Sequence, residues 1–192
     1  HSPTAHLLAD SVDAIARHQH KIGVIECPTS IFDPQCQHLL DEVYARSGSH
    51  EYKTTMFRIS PLDHGGIQTR DRVFILLTRS DVHAALGPFP AIPPTATSTD
   101  TIRDVLEPIA KLDITTLAVD REYVRRPSYR HRPRHANACY YTGRHGPHNY
   151  AYDLDGKAPT LTSKPTIIFD DRVGQFRKLS IREMLRVQGM PE

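Results

Sequence analysis

The stretch Gly65-Gly66-Ile67-Gln68-Thr69-Arg70-Asp71-Arg72-Val73-Phe74 places a side-chain amide and two guanidiniums at alternate positions, just before the most apolar run of the chain. Side chains alternate along an extended segment, so Gln68, Arg70 and Arg72 would share one side and converge on one ligand. Such a set suits phosphate oxygens and base edges; as a bare pattern it also describes a solvated strand rim. A second candidate is Glu26, an acid closing the short apolar run Ile22 to Ile25. A third is a cationic tract. Between Arg121 and His148 lie seven arginines (Arg121, Arg125, Arg126, Arg130, Arg132, Arg134, Arg144) against one acid, Glu122, interleaved with Tyr123, Tyr129, Tyr140 and Tyr141. Cations mixed with aromatics can hold a phosphate backbone and stack on bases, or can form a basic loop with no ligand.

These groups need elements to position them. Apolar residues from Leu7 to Arg17 recur at near-helical spacing, and Ile22 to Ile25 then reads as a buried strand before Pro28. After Pro34, the residues Leu39, Leu40, Val43 and Tyr44 mark one face of a second helix that Gly48 can close. Tyr52 to Ile59 reads as a strand, Pro61 to Gly66 as a turn, and Arg72 to Thr78, with five consecutive apolar residues from Val73 to Leu77, as a sheet centre. Alternating strands and helices imply an α/β core with parallel units, whose ligands lie outside the carboxyl ends of the strands. That points to Glu26 and to the turn from Gly65 to Arg72.

The proline-dense segment Gly87 to Pro94 reads as a connection leaving the core, and Asp100 caps a short predicted helix, Thr101 to Glu107. From Asp113 to Asp155 periodicity fades, with short strand-like pieces such as Ile114 to Val119, so this stretch is a candidate insertion. A last helix carries Ile181, Met184, Leu185 and Val187, capped by Ser180 and stopped by Gly189.

Composition narrows the function classes. The 192 residues allow one domain with an appendage, and 39% hydrophobic with 24% charged residues is ordinary for a globular protein. No apolar run reaches the roughly 18 residues that a membrane-spanning helix needs. The start His1-Ser2-Pro3-Thr4 has neither an initiator Met nor a signal-peptide layout, so a fragment in an intracellular setting is expected. Cys27, Cys36 and Cys139 are odd in number and scattered, which argues for reduced thiols. His131, His135, Cys139, His145 and His148 have spacings that zinc can use, but no Cys-x-x-Cys anchors them, and no metal site is assigned.

The residues Gln68-Thr69-Arg70-Asp71-Arg72-Val73-Phe74 resemble the Gln-x-Arg-x-Arg motif of the DNA (cytosine-5)-methyltransferase family. Independently, Arg177-Lys178-Leu179-Ser180-Ile181-Arg182-Glu183-Met184-Leu185-Arg186-Val187-Gln188-Gly189-Met190-Pro191 is similar to that family's Arg-x-Leu-(Ser/Thr)-x-x-Glu-x-x-Arg-x-Gln-Gly-Phe-Pro block, with Met190 where Phe is usual. Two shorter likenesses, Thr101 to Leu106 and Asp153 to Thr162, fall between them in the family's order. Glu26 stands in Val24-Ile25-Glu26-Cys27-Pro28, where the family has Glu-Asn-Val.

The resemblance implies an α/β fold: the C-terminal half of a Rossmann-like S-adenosylmethionine-dependent methyltransferase sheet with a small irregular or β target-recognition insertion. Residues 1–112 would be core, 113–157 the target-recognition region and 158–192 the return to the core. It implies that Glu26 contacts the ring N3 and exocyclic amine of an extruded cytosine, that Arg72 approaches O2 and Arg70 the neighbouring backbone, and that Gln68 holds the turn. Gln68, Arg125, Arg126, Arg130, Arg132, Arg134, Arg144 and Arg177 would face double-stranded DNA, although the block around Arg177 also serves to pack the insertion on the core. The family's nucleophile sits in a Pro-Cys-Gln loop preceding the glutamate. Pro34-Gln35-Cys36-Gln37 follows Glu26 and has Gln35 inserted, so Cys36 is read as a core-facing helix-start cysteine. Nor is there a Phe-x-Gly-x-Gly stretch for S-adenosylmethionine. The chain alone is therefore expected to be inactive: either it is cut from a longer protein, or a complementary N-terminal polypeptide supplies the thiol and most of the cofactor pocket. The alternatives are a noncatalytic DNA-binding relative and a transfer-RNA cytosine-5 methyltransferase.

Overall fold

The computed structural model describes residues 5–119, 124–125, 139–141 and 150–190, with residues 5, 124–125 and 139–141 described as backbone only. The chain divides into two compact units: His1–Ser60 with Asp71–Pro93, and Pro61–Arg70 with Pro94–Glu192.

The first unit runs α1 (Ala5–Arg17), β1 (Ile22–Pro28), α2 (Gln37–Ser49), β2 (Tyr52–Ile59), β3 (Arg72–Arg79) and α3 (Ser80–Leu86). On α1, Leu8, Val12 and Ile15 follow helical spacing and pack into a core with Leu40 and Val43 of α2 and Val73, Ile75 and Leu77 of β3. The approach of α1 to β1 depends on Gly23, where a Cβ would lie 2.5 Å from Ile15 Cδ1. Any side chain there would push helix and strand apart. The α2 helix passes through Gly48 to Ser49, and the chain reverses at Glu51, whose φ is 61°. Gly48 is thus a helical residue and not the stop expected of it.

The sheet order is β1-β3-β2, and both pairings are antiparallel. This corrects the expectation of parallel units. An apolar run reports that a strand is buried, not which way it points. Here β3 inserts between the two earlier strands, with Glu26 opposite Phe74 and Pro28 opposite Arg72. The reversal has a chemical result: the first residue of β3 lies beside the last residues of β1. A parallel β3 would have carried Arg72 to the far end of the sheet.

In the second unit, Ile102–Val105 forms a 3-10 turn in place of the helix that the sequence predicts over Thr101 to Glu107. Thr101, not Asp100, is its cap: the Thr101 amide donates to the Asp104 carboxylate at 2.7 Å in a reciprocal capping box. Of the strand-like stretch Ile114 to Val119, only the end is so: Ala118 bridges Arg177 antiparallel, while Ile114–Leu117 is helical. Asp113 accepts from the Thr116 amide at 3.2 Å and starts the single turn α4 (Ile114–Leu117). A five-stranded sheet follows in the order β4 (Val124–Arg125), β5 (Cys139–Tyr141), β6 (Tyr150–Tyr152), β7 (Ile167–Asp170) and β8 (Gln175–Lys178), with only β6 and β7 parallel.

The last helix, α5 (Ile181–Val187), is capped as its sequence predicts, with Ser180 Oγ accepting from the Glu183 amide. Gly189 and Met190 then close it with amide bonds to Arg186 O and Leu185 O. Its inner face joins a core of Ile67, Ile102, Leu154, Ile168, Leu179 and Val187. Among the described residues no helix is long and apolar enough to cross a membrane.

Candidate active site

Glu26 and Arg72 meet within the first unit. Residues opposite each other in an antiparallel pair share a face, so Glu26, Pro28, Arg72 and Phe74 lie on the side of the sheet away from Cys27 and Val73, which are in the helical core. Arg72 Nε donates to Glu26 Oε1 at 2.9 Å, and Arg72 Nη1 donates to the Asp71 carbonyl at 2.9 Å. The Arg72 side chain is 25% exposed and that of Glu26 47% exposed, so water and ligands reach both. The guanidinium fork is used on two sides only; its Nη2 makes no hydrogen bond among the described residues. A carboxylate that accepts beside a partly free guanidinium that donates can recognise a planar heterocycle through paired polar edges.

Arg70 and Gln68 belong to the second unit. The Arg70 amide donates to Gln68 O at 3.0 Å, so the backbone folds into a tight turn at Thr69 and does not run extended as the alternation argument supposed. The loop is zipped to the segment around Ala158: Thr69 N donates to Ala158 O at 2.8 Å, Ala158 N to Ile67 O at 2.9 Å and Thr160 Oγ1 to Thr69 O at 3.0 Å. Gly66 permits this folding, since a Cβ there would stand 2.9 Å from the Pro61 carbonyl. Gln68 is buried and its Nε2 has no partner among the described residues, so it is not a surface contact for DNA. Its reading as a residue of the turn fits this placement better.

Arg177 needs a plainer correction. Its side chain is fully buried, donating through Nε to Asp170 at 2.7 Å and through Nη1 and Nη2 to Glu183 at 2.7 and 2.8 Å. Asp170 also takes Arg172, while Glu183 accepts from the Ser180 and Glu107 amides. Burial opposes the charged form of Asp170, but the hydrogen bonds of Arg172 and Arg177 prevail and hold its carboxyl down at about 2. A guanidinium so enclosed ties β7, β8 and α5 together and offers nothing to a nucleic acid.

Of the remaining candidates, Arg126, Arg130, Arg132, Arg134 and Arg144 lie outside the described residues, as does the side chain of Arg125. The His131, His135, His145 and His148 set lies outside them too. Cys36 caps the start of α2 and packs against the first core, as expected. Burial, with the charge of Glu26 adding to it, pushes the Cys27 thiol above its ordinary value, which disfavours the thiolate. Two groups escaped the sequence reading: Asp71, which accepts Arg58 Nη2 at 2.7 Å, and the buried acids Asp170 and Glu107. Arg58 and Asp71 are separated by the whole β2–β3 loop, and no local pattern announces their pairing.

Comparison with known proteins gives a consistent picture. The chain is similar in fold to a putative DNA modification methyltransferase encoded within a prophage of E. coli, at 14% identity and a TM-score of 0.59, covering 99% of this chain and 65% of that one. It is similar to the Entamoeba histolytica methyltransferase EhMeth at 13% identity and a TM-score of 0.54, covering 99% and 58%. It is also similar to the S. pombe Dnmt2 methyltransferase at 14% identity and a TM-score of 0.50, covering 90% and 55%. The chain thus spans 55% to 65% of the length of these structures. No curated protein matches it. A model of the family described as C-5 cytosine-specific DNA methylase matches residues 1–192, and the chain belongs to that family.

Proposed function

We propose that this chain is the base-holding part of a DNA (cytosine-5)-methyltransferase, which transfers a methyl group from S-adenosylmethionine to C5 of a cytosine extruded from double-stranded DNA. The observation that carries the reading is the contact of Glu26 with Arg72 across β1 and β3 at 2.9 Å, in an accessible position. Attack of a thiolate at C6 drives electron density onto the pyrimidine ring. A protonated carboxyl at N3 stabilises that charge, and guanidinium N–H groups at O2 fix the ring in place. Glu26 supplies the first and Arg72 the second. Arg70 contacts the flanking backbone, and the arginines of the 113–157 target-recognition region, Arg125 to Arg144, hold phosphates.

The thiol is assigned to a segment beyond these residues, either of the same protein or of a partner polypeptide, since Cys27 is buried in the core and Cys36 packs against it. Residues for the methyl donor are not found among those described. A glycine-rich cradle needs free backbone N–H groups, and those of Gly65 and Gly66 are spent on Ala96 O and Pro61 O. Donor binding is assigned to the same missing segment.

The test is binding of this chain to two DNA duplexes that differ in one unpaired base, cytosine or thymine, opposite an abasic site. Thymine carries a carbonyl where cytosine has its amine and a proton on N3, so the pair should favour cytosine by about tenfold or more. Glu26→Gln should bring the ratio near unity. Equal binding of the two duplexes by the unaltered chain would falsify the proposal, and tighter binding of the matching RNA would redirect it to RNA.

A further inference from the structure

Arg72 is held from two directions, and the second leads to a residue outside every motif named above. Arg58, near the end of β2, donates through Nη2 to Asp71 Oδ2 at 2.7 Å; the side chains are 48% and 21% exposed. Asp71 directly precedes β3, and its carbonyl accepts Arg72 Nη1 at 2.9 Å. Arg72 Nε in turn reaches Glu26. The charges therefore alternate along one line, Arg58, Asp71, Arg72, Glu26, which crosses all three strands of the first sheet at the end where the β2–β3 loop leaves it.

We propose that Arg58 is a positioning residue: by anchoring the Asp71 carboxylate to β2 it fixes the Asp71 peptide, and through that peptide's carbonyl it sets the plane of the Arg72 guanidinium. This rests on the proposed role of Arg72 toward a pyrimidine. The physical need is specific to this location. A guanidinium recognises a ring carbonyl only in the plane of its fork, and Arg72 is the first residue of its strand, with no ladder pair before it. Opposite Arg72 in the ladder stand Pro28 on β1, which has no amide hydrogen to donate, and Ile59 on β2. Side-chain contacts must supply what the backbone lacks there. An ion pair this exposed adds little to folding, so orientation is the use left for it.

The full chain is measured against the cytosine and thymine duplexes, with thermal unfolding alongside. Arg58→Ala should lower the cytosine-over-thymine ratio about three- to tenfold, leaving thymine-duplex affinity and the unfolding midpoint close to those of the unaltered chain. Arg58→Lys, which can still pair with Asp71, should retain most of the preference. Asp71→Asn should resemble Arg58→Ala, and joining the two changes should add nothing further. A full preference in Arg58→Ala, or equal weakening on both duplexes, overturns the inference; the latter would make Arg58 a simple phosphate contact. Loss of preference in Glu26→Gln but not in Arg58→Ala would sink this inference alone. If the unaltered chain shows no preference, the functional reading fails first, and the Arg72 Nε–H resonance in the NMR spectrum of the free protein decides the rest. That resonance should be sharp in the unaltered chain and exchange-broadened in Arg58→Ala, and an unchanged signal rejects the anchoring.

Discussion

Two arginine–carboxylate pairs, one in each unit, use the same chemistry to opposite ends. Arg177 is sealed in the second unit with two acids, and four of its five N–H groups have acceptors. Arg72 stands open on the first sheet with one acid, one carbonyl and an Nη2 that no described residue takes up. A buried guanidinium must be saturated, because each unpaired N–H would carry its full desolvation cost. An accessible one can keep donors in reserve for a ligand. Saturation and access, more than motif membership, separate the arginine that holds the fold from the one left open to a ligand.

The contrast breaks most visibly under alanine substitution. Arg177→Ala leaves Asp170 and Glu183 buried without their cation and should cost about 3–5 kcal/mol, read from denaturant titration. Arg72→Ala should cost less than about 1 kcal/mol by the same measurement while removing the cytosine preference. Similar losses from both would erase the distinction.

Acid sharpens it next. The Asp170 carboxyl sits at about 2 in the folded chain against 3.8 for the free group, so the folded state keeps its charge further into acid. Its contribution is complete above pH 4 and drains away as pH falls toward 2, a loss of about 2 kcal/mol that Asp170→Asn should remove from the pH–stability curve. Ser180→Ala, which deletes the α5 cap and a hydrogen bond to Glu107, should cost about 1 kcal/mol. Smallest is Glu26→Gln, with a stability change within about 0.5 kcal/mol. A larger effect there would show that Glu26 serves the fold.

Much of this architecture was readable from residue order. The apolar spacing of α1 and the Ser180–Glu183 cap arise from local interactions and lie where the sequence predicts, while the strand expected over Ile22 to Ile25 continues through Glu26 to Pro28. Strand direction was not readable, since Val73 to Leu77 would look alike in either sense, and with it went the reason why Glu26 and Arg72 meet. The helix expected at Thr101 shrank to a 3-10 turn that ends where Leu106 turns extended, two residues before Pro108. The burial of Arg177 was hidden for a related reason: charge in a sequence reads as surface until its partners are known. Asp170 and Glu183 flank Arg177 in the chain, yet only the folding of β7 against β8 and α5 encloses all three.

The most direct test is a double-mutant cycle on the cytosine duplex with Glu26→Gln, Arg72→Lys and the two combined. If both side chains grip one ring, either change alone should forfeit most of the preference and the combination should lose little more, with folding intact in all three proteins. Losses that simply add, or an undiminished preference in the double variant, would contradict the shared pocket on which the account depends.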